Sequence, residues 1–216
     1  MVIVLKSKFL LRFSLYIIGI ACLALGGVLA INSRLGVSPV NLIQLSLSYL
    51  IGSSLGFAAF ISFVTYVILQ ALLLKKDFKP IQILQILFAV LFGFLLQFFN
   101  NSIQLENLSL TFRVSLVFIS ILVIALGIFL TVTPRLIPMA PDGMAGAIAF
   151  KLKKDFGKGK LVFDVIIVVT SAVILFVTNS GFEDIGIGTI LSAILVGKVI
   201  VFVNSRFKEK LEAIIF

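Results

Sequence analysis

The stretch "RLGVSPVN", Arg34–Asn41, places polar and turn-forming residues between two apolar segments. A related stretch, "RLIPMAPDG", occupies Arg135–Gly143. In each, an arginine is followed a few residues later by a proline, and a short apolar segment comes next. Proline suits the first turn of a helix but not its interior, and polar backbone is costly in lipid. The two stretches therefore indicate breaks in a chain that is otherwise apolar enough for a bilayer.

Composition assigns the chain to the integral membrane proteins. Its 216 residues are 61% hydrophobic and 12% charged, with a mean hydropathy of +1.25, well above soluble domains. Two short apolar segments, 40–51 and 142–152, fall below the roughly 20 residues that a spanning helix needs. Six longer runs predict spanning helices at about 13–33, 55–74, 80–99, 112–134, 160–178 and 185–204.

The basic residues predict the orientation. The net charge is +9, but the lysines and arginines form short clusters between apolar runs, so they act as topology signals and not as a nucleic-acid surface. With the N-terminus in the cytoplasm and six spans, 16 of the 18 basic residues, Lys6 included, lie inside. Only Arg34 and Arg113 lie outside. Eight spans would place 75–79 outside, so we expect the short segments to dip in and return.

The two halves of the chain resemble each other. "ALGGVLAINSRLGVSP" from Ala24 aligns with "ALGIFLTVTPRLIPMAP" from Ala125, and "FGFLLQFFN" (92–100) aligns with "VGKVIVFVN" (196–204). Three spans per copy invert the second copy. We predict an all-α polytopic membrane protein with one membrane domain, 1–216. Its inverted-topology repeats, 13–100 and 112–204, each hold three transmembrane helices and a short re-entrant helix, and 205–216 form a cytoplasmic tail.

The broken segments are the predicted site. A helix N-terminus offers free N–H groups and partial positive charge, which with a nearby arginine suits an anionic group. Alternatively, the arginines anchor to headgroups, Asp142 caps a helix, and the glutamines join helices. The candidate substrate-binding residues are Arg34, Ser38, Asn41, Gln44, Gln97, Arg135, Asp142 and Gly143.

Two further ionisable residues are candidates for coupling to an ion. Asp164 lies five residues into a predicted span, and Lys198 lies in the last one. Ionisable groups within spans are functional candidates by default. Asp164 carries a proton or pairs with Arg135 or Lys160 in our interpretation, and the alternative is a structural ion pair. Lys198 alternatively reaches the cytoplasmic surface.

The residue inventory argues against catalysis. The chain has no histidine and a single cysteine, Cys22, so it lacks the Ser/His/Asp and Cys/His systems and a zinc cage of cysteine and histidine. No carboxylates cluster in the sequence. We expect no enzyme activity, no metal and no cofactor.

The order of several motifs resembles a known family. These are "ALGG" and "RLGVSP", then "KDFKPIQILQILFAVLFGF", and in the second half "PDG" and "GIGTILSAILVGK". Together they are similar to the YczE/YitT-type bacterial membrane proteins over nearly the whole chain. The resemblance implies a bacterial cytoplasmic-membrane protein of transporter-like build. Gln97 departs from it, since an acidic residue is common there.

These observations favour a secondary transporter or facilitator for a small anionic or zwitterionic solute. A narrow channel built from the same two segments is one alternative. A membrane partner or assembly factor that transports nothing is another. Because 216 residues are few for a carrier, we expect a homodimer in the lipid bilayer.

Overall fold

A computed structural model describes the backbone of residues 2–216 and the side chains from Lys8 onward, so the side chain of Lys6 lies outside the described residues. The described chain is entirely helical. Two 3-10 turns, Lys75–Asp77 and Pro80–Leu84, lead into α4. The α-helices are α1 (Val2–Ser33), α2 (Pro39–Ile51), α3 (Leu55–Leu74), α4 (Gln85–Ser102), α5 (Leu110–Val132), α6 (Ala140–Leu152), α7 (Phe156–Thr178) and α8 (Ile187–Ile215).

Six helical segments are long and apolar enough to cross a membrane: Lys8–Ser33, Leu55–Asp77, Pro80–Ser102, Leu110–Val132, Phe156–Thr178 and Ile187–Ile215. This confirms that the six predicted apolar runs form helices long and apolar enough to span a membrane, as in a multi-pass membrane protein. The helices at the chain ends are longer than the predicted spans, since α1 starts at Val2 and α8 continues through the expected tail to Ile215. The remaining helices, α2 and α6, have 13 residues each and begin at their prolines.

The centre of the bundle is the crossing of α1 and α5, which run antiparallel and pack more extensively than any other described pair. Glycines allow this approach. A Cβ at Gly26 would lie 2.6 Å from Ile124, and a Cβ at Gly127 would lie 2.8 Å from Leu23. Small residues permit close helix packing in lipid, where van der Waals contact replaces the hydrophobic effect.

Arginines fix both ends of the same crossing. Arg12 donates from Nε to the Pro134 carbonyl at 2.9 Å and from Nη2 to that of Arg135 at 3.5 Å. Arg113 donates from Nε to the Ser33 carbonyl at 2.7 Å and from Nη2 to that of Arg34. Arg113 follows Arg12 by 101 positions, and Pro134 and Arg135 follow Ser33 and Arg34 by the same number. Both arginines thus satisfy carbonyls that a helix end leaves free.

The bundle has two distinct ends. The end that we call the lysine-rich face carries Arg135, Lys79 and the start of α7 around a common opening. The opposite face carries the end of α1 and the loop before α8, joined where the Gly188 N–H donates to the Leu35 carbonyl at 2.7 Å. The close approach uses glycine, because a Cβ at Gly188 would lie 2.5 Å from the Gly36 carbonyl oxygen.

Neighbouring helices pack differently in the two halves. Gly56 of α3 and Gly93 of α4 bring those helices together, since a Cβ at Gly93 would lie 2.5 Å from the Gly56 carbonyl oxygen. The Gly56 N–H also donates to Gln97 Oε1 at 3.0 Å. Within the described chain, α7 and α8 barely touch. A Cβ at Gly197 of α8 would meet nothing within 4 Å, so the second half has a gap where the first is closed.

Candidate functional site

The short helix α2 begins within the bundle. Asn41, in its first turn, is buried against Gly27 of α1, where a Cβ would lie 2.9 Å from the amide nitrogen. Gly27 precedes the end of α1 at Ser33 by six residues, or roughly 9 Å along the helix. The N-terminus of α2 therefore lies below the opposite face, among the long helices.

The N-terminus of α6 is also internal and is held by side chains from α3, α4 and α1. Gln70 Nε2 donates to the Ala140 carbonyl at 3.1 Å, and Gln70 and Gln85 exchange hydrogen bonds of 3.1 and 3.2 Å. The Tyr16 hydroxyl donates to the Met139 sulfur at 3.4 Å. These contacts fix the depth and direction of α6.

Both internal N-termini lack a side-chain cap, unlike those of three long helices. Ser54, Ser109 and Asp155 accept hydrogen bonds from the first turns of α3, α5 and α7. Ser38 before α2 and Met139 before α6 make no such bond. The first N–H groups of α2 and α6 are therefore free to donate to a bound group.

A central cavity of about 310 Å³ lies between these N-termini. Its polar lining consists of Ser38, Asn41, Asp142, Lys160, Asp164 and Ser192. Its apolar lining includes Leu23, Phe63, Phe92, Ile124, Met139 and Val196. Residues of α7 and α8 supply one wall of the cavity, and these two helices barely touch each other. A small cavity with few polar groups on an apolar wall is typical of a solute site.

The cavity contains two carboxylates and one ammonium group. Lys160 and Asp164 form an ion pair one helical turn apart, with side chains 30% and 22% exposed. Asp142 forms no ion pair with any described residue, although both members of that pair lie close enough to act on it electrostatically. The cavity lining thus holds two carboxyl groups and one amine, and the Asp142 carboxyl has no ion-pair partner among the described residues.

A wider vestibule of about 1140 Å³ opens at the lysine-rich face. Asp142 and Phe156 line both the vestibule and the central cavity. Arg135 lines the vestibule, where it forms an ion pair of 2.8 Å with Glu212 and remains 62% exposed. Asp142 therefore lies where a route from this face meets the central cavity.

Some of the predicted site residues line the central cavity or the vestibule, and the others line neither. Ser38, Asn41, Asp142 and Asp164 line the central cavity, while Arg135 and Gly143 line the vestibule. Gln44 is fully buried one turn from Asn41, and neither atom of its amide has a partner among the described residues. Outside both cavities lie Arg34, Gln97 and Lys198: the first and last are exposed, and Gln97 joins α3 to α4.

Several residues that shape the site were not predicted from the sequence. Gln70 holds the start of α6, and the Phe63 and Phe92 rings stack 4.8 Å apart in the cavity wall. Nothing in an apolar run distinguishes such a ring from a lipid-facing one. Arg12 and Arg113 had a usable signal, namely the same 101-residue spacing as Arg34 and Arg135.

The far end of α2 is joined to the loop before α8. The Tyr49 hydroxyl donates to Asp184 Oδ2 at 3.2 Å, and the Val37 N–H donates to the Asp184 carbonyl at 3.2 Å. Burial raises the pKa of Asp184, the hydrogen bond from Tyr49 opposes that rise, and Glu183 adds to it. The C-terminal part of α2 and the segment just before its first residue are thus both held by Asp184, in the second half of the chain.

Comparison with known proteins gives a family but no activity. A family model described as "Family of unknown function (DUF6198)" matches residues 10–205. No curated protein and no solved structure matches the chain. The family description names neither YczE nor YitT proteins, so that resemblance stays a prediction.

Proposed function

This chain belongs to the DUF6198 family of unknown function, and we propose that it is a carrier that moves a small solute across a membrane. The observation that carries the proposal is the central cavity, which lies between two uncapped helix N-termini and meets the vestibule at Asp142. Transporter sites lie at such discontinuous helices near the membrane midplane.

We further propose that the two halves are inverted-topology repeats. The reciprocal bonds of Arg12 and Arg113 support this, because a two-fold axis produces such an exchange. Both short helices end at a residue in the left-handed backbone conformation, Gly52 after α2 and Lys153 after α6. The next long helices are capped by Ser54 and Asp155, again 101 residues apart.

The short helices are re-entrant in this proposal. The burial of Asn41 against Gly27 and the bond from Gln70 to Ala140 support it, since both starting points are internal. The lysine-rich face is assigned to the cytoplasm by the excess of basic residues there. Both chain ends are then cytoplasmic, and the vestibule is the cytoplasmic entrance.

The difference between the halves favours a carrier over a channel. Under the repeat correspondence, Gly56 and Gly93, which are in contact, match Gly157 and Gly197, which are not. Closing α7 on α8 as α3 closes on α4 would seal the cavity on that side. Opening one half while the other closes is the alternating access of inverted-repeat transporters.

Counterflow in proteoliposomes tests the carrier. Vesicles are loaded with an unlabelled mixture of amino acids and small carboxylic acids, and uptake of each labelled solute is followed against empty vesicles. We expect at least one solute to exchange faster into loaded vesicles. Asn41→Leu, which removes a buried amide from the cavity, should abolish that exchange. Lys208→Gln, at an exposed position of α8 that lines neither cavity, is the control and should leave it unchanged.

The alternatives predict different results. A channel gives passive uptake that solute on the far side does not stimulate, with a current across a planar bilayer where the solute carries a net charge. A non-transporting partner gives neither exchange nor current. Exchange that survives in Asn41→Leu would remove the central cavity from the proposal.

A further inference from the structure

We propose that the central cavity binds a zwitterion of amino-acid size with an apolar side chain, an inference that rests on the proposed function. The ammonium group lies against Asp142, and the carboxylate lies at the N-terminus of α2. Three independent features support this: an unpaired carboxylate, unpartnered amides beside a helix N-terminus, and an aromatic wall.

The ammonium site is Asp142. Its carboxylate lines the cavity and has no ion-pair partner among the described residues. The nearby cation, Lys160, is engaged by Asp164. An ionised group inside a membrane protein is retained where it pairs with a partner or faces a wet cavity. A cationic group of the solute supplies the ion-pair partner that Asp142 lacks among the described residues.

The carboxylate site is the first turn of α2. Pro39 has no N–H, and the hydroxyl of Ser38 does not cap the helix, so the next N–H groups are free. Asn41 is only 5% exposed, lines the cavity, and forms no hydrogen bond with any described side chain or backbone group. Gln44, one turn further along the same face, is completely buried with both amide atoms unpartnered.

The fully buried, unpartnered amide of Gln44, next to the Asn41 amide on the cavity wall, is the second sign of a ligand. Buried polar atoms without partners are rare, and each calls for a bound water, ion or ligand. Asn41 can donate to a carboxylate that also accepts from the α2 backbone, and a water bound to the Gln44 amide can hold the Asn41 side chain in place. Two donors beside a helix N-terminus favour a carboxylate over a neutral carbonyl.

The remaining lining selects the body of the solute. Phe63 and Phe92 stack on one side of the cavity, and Met139 and Ile124 extend the apolar wall. A cavity of about 310 Å³ is at the lower end of the range for ligand pockets. The lining therefore fits a short apolar side chain, and it excludes a simple inorganic anion as the best ligand.

Four related compounds separate the charge classes. Binding to the purified full-length protein in detergent is measured by calorimetry with L-leucine, leucinamide, N-acetyl-leucine and glycine. Leucine should bind most tightly. Leucinamide lacks the carboxylate and N-acetyl-leucine lacks the ammonium group. Each should therefore bind at least about tenfold more weakly than leucine. Glycine lacks the side chain and should lose a similar factor.

Asp142→Asn tests the assigned polarity. It should weaken leucine binding about tenfold or more and leave N-acetyl-leucine unchanged or tighter, a reversal of preference that a general loss of structure does not produce. Asp77→Asn, an exposed acid on the vestibule wall, is the control and should retain the preference. Leucinamide binding as well as leucine, N-acetyl-leucine binding better, or no binding by any of the four would each overturn the zwitterion site.

Different results would refute the proposed carrier function and the proposed zwitterion site. If leucine binds with the expected preference but does not exchange across vesicles, the zwitterion site stands and the carrier falls. If a simple anion exchanges in an Asn41-dependent manner and leucine does not, the carrier stands and the zwitterion site falls.

Discussion

The contact between Gly56 and Gly93 predicts unequal effects for one substitution at two matched positions. In Gly93→Ala, the new Cβ would lie 2.5 Å from the Gly56 carbonyl oxygen, closer than real Cβ contacts, so α3 and α4 must separate. Such overpacking costs about 1–3 kcal/mol. Alanine returns about 0.8–1 kcal/mol in helix propensity. We expect a net loss of roughly 1–2 kcal/mol of unfolding free energy, because the bond from Gly56 to Gln97 also weakens.

Gly197→Ala is the matched substitution on α8. No atom lies within 4 Å of its Cβ, so only the propensity gain of up to about 1 kcal/mol applies. Thermal unfolding can be followed with a thiol-reactive fluorophore, since Cys22 is the one cysteine of the chain and is partly buried. At about 2–4 °C per kcal/mol, Gly93→Ala should lower the melting temperature while Gly197→Ala holds or raises it. Equal shifts in the two variants would refute the packing difference.

Three further predictions use other contacts. Gly27→Ala places a Cβ 2.9 Å from the Asn41 amide nitrogen, so it should displace the amide and weaken leucine binding several-fold in calorimetry; full affinity would show that this amide is not used. Gly157→Cys and Gly197→Cys, combined in a Cys22→Ser background, should form a disulfide under oxidation only if α7 closes on α8. We expect solute to increase the fraction of the protein that shows the resulting electrophoretic shift. A shift that solute leaves unchanged argues against closure on binding. Because burial raises the pKa of Asp184, the folded state binds its proton more tightly than the unfolded state, and this contribution to stability declines as pH rises through the raised pKa. Asp184→Asn should therefore flatten the fall in melting temperature as pH rises above about 4, the ordinary pKa of an aspartate, and an unchanged pH profile would contradict it.

Hydropathy and proline position predicted most of the fold. Spanning helices need long apolar runs, and the short segments after Pro39 and Pro141 had to be separate helices because a proline interrupts a helix interior. The extension of α8 through Arg206 and Lys208 was not predicted, because charged residues end an apolar run without ending a helix. Hydropathy measures burial in lipid and not helix length.

The site was predicted in part for a related reason. Ser38, Asn41 and Asp142 follow from chain breaks, which a sequence displays directly. The arginines next to those breaks line no part of the central cavity, since Arg34 is exposed and Arg135 pairs with Glu212. A long flexible side chain at a helix end reaches whichever partner tertiary packing brings near. Only packing between distant helices decides that partner.

The reciprocal arginine contacts have a consequence for biosynthesis. Arg113 reaches a carbonyl 80 residues earlier in the chain, and Arg12 reaches one 122 residues later. At about 5–20 residues per second, translation leaves the carbonyl at Ser33 waiting roughly 4–16 s for its arginine. During that interval the first half lies in the bilayer with the broadest face of α1 uncovered. The face of α1 that packs against α5 therefore gains its final partner only once α5 has been synthesised.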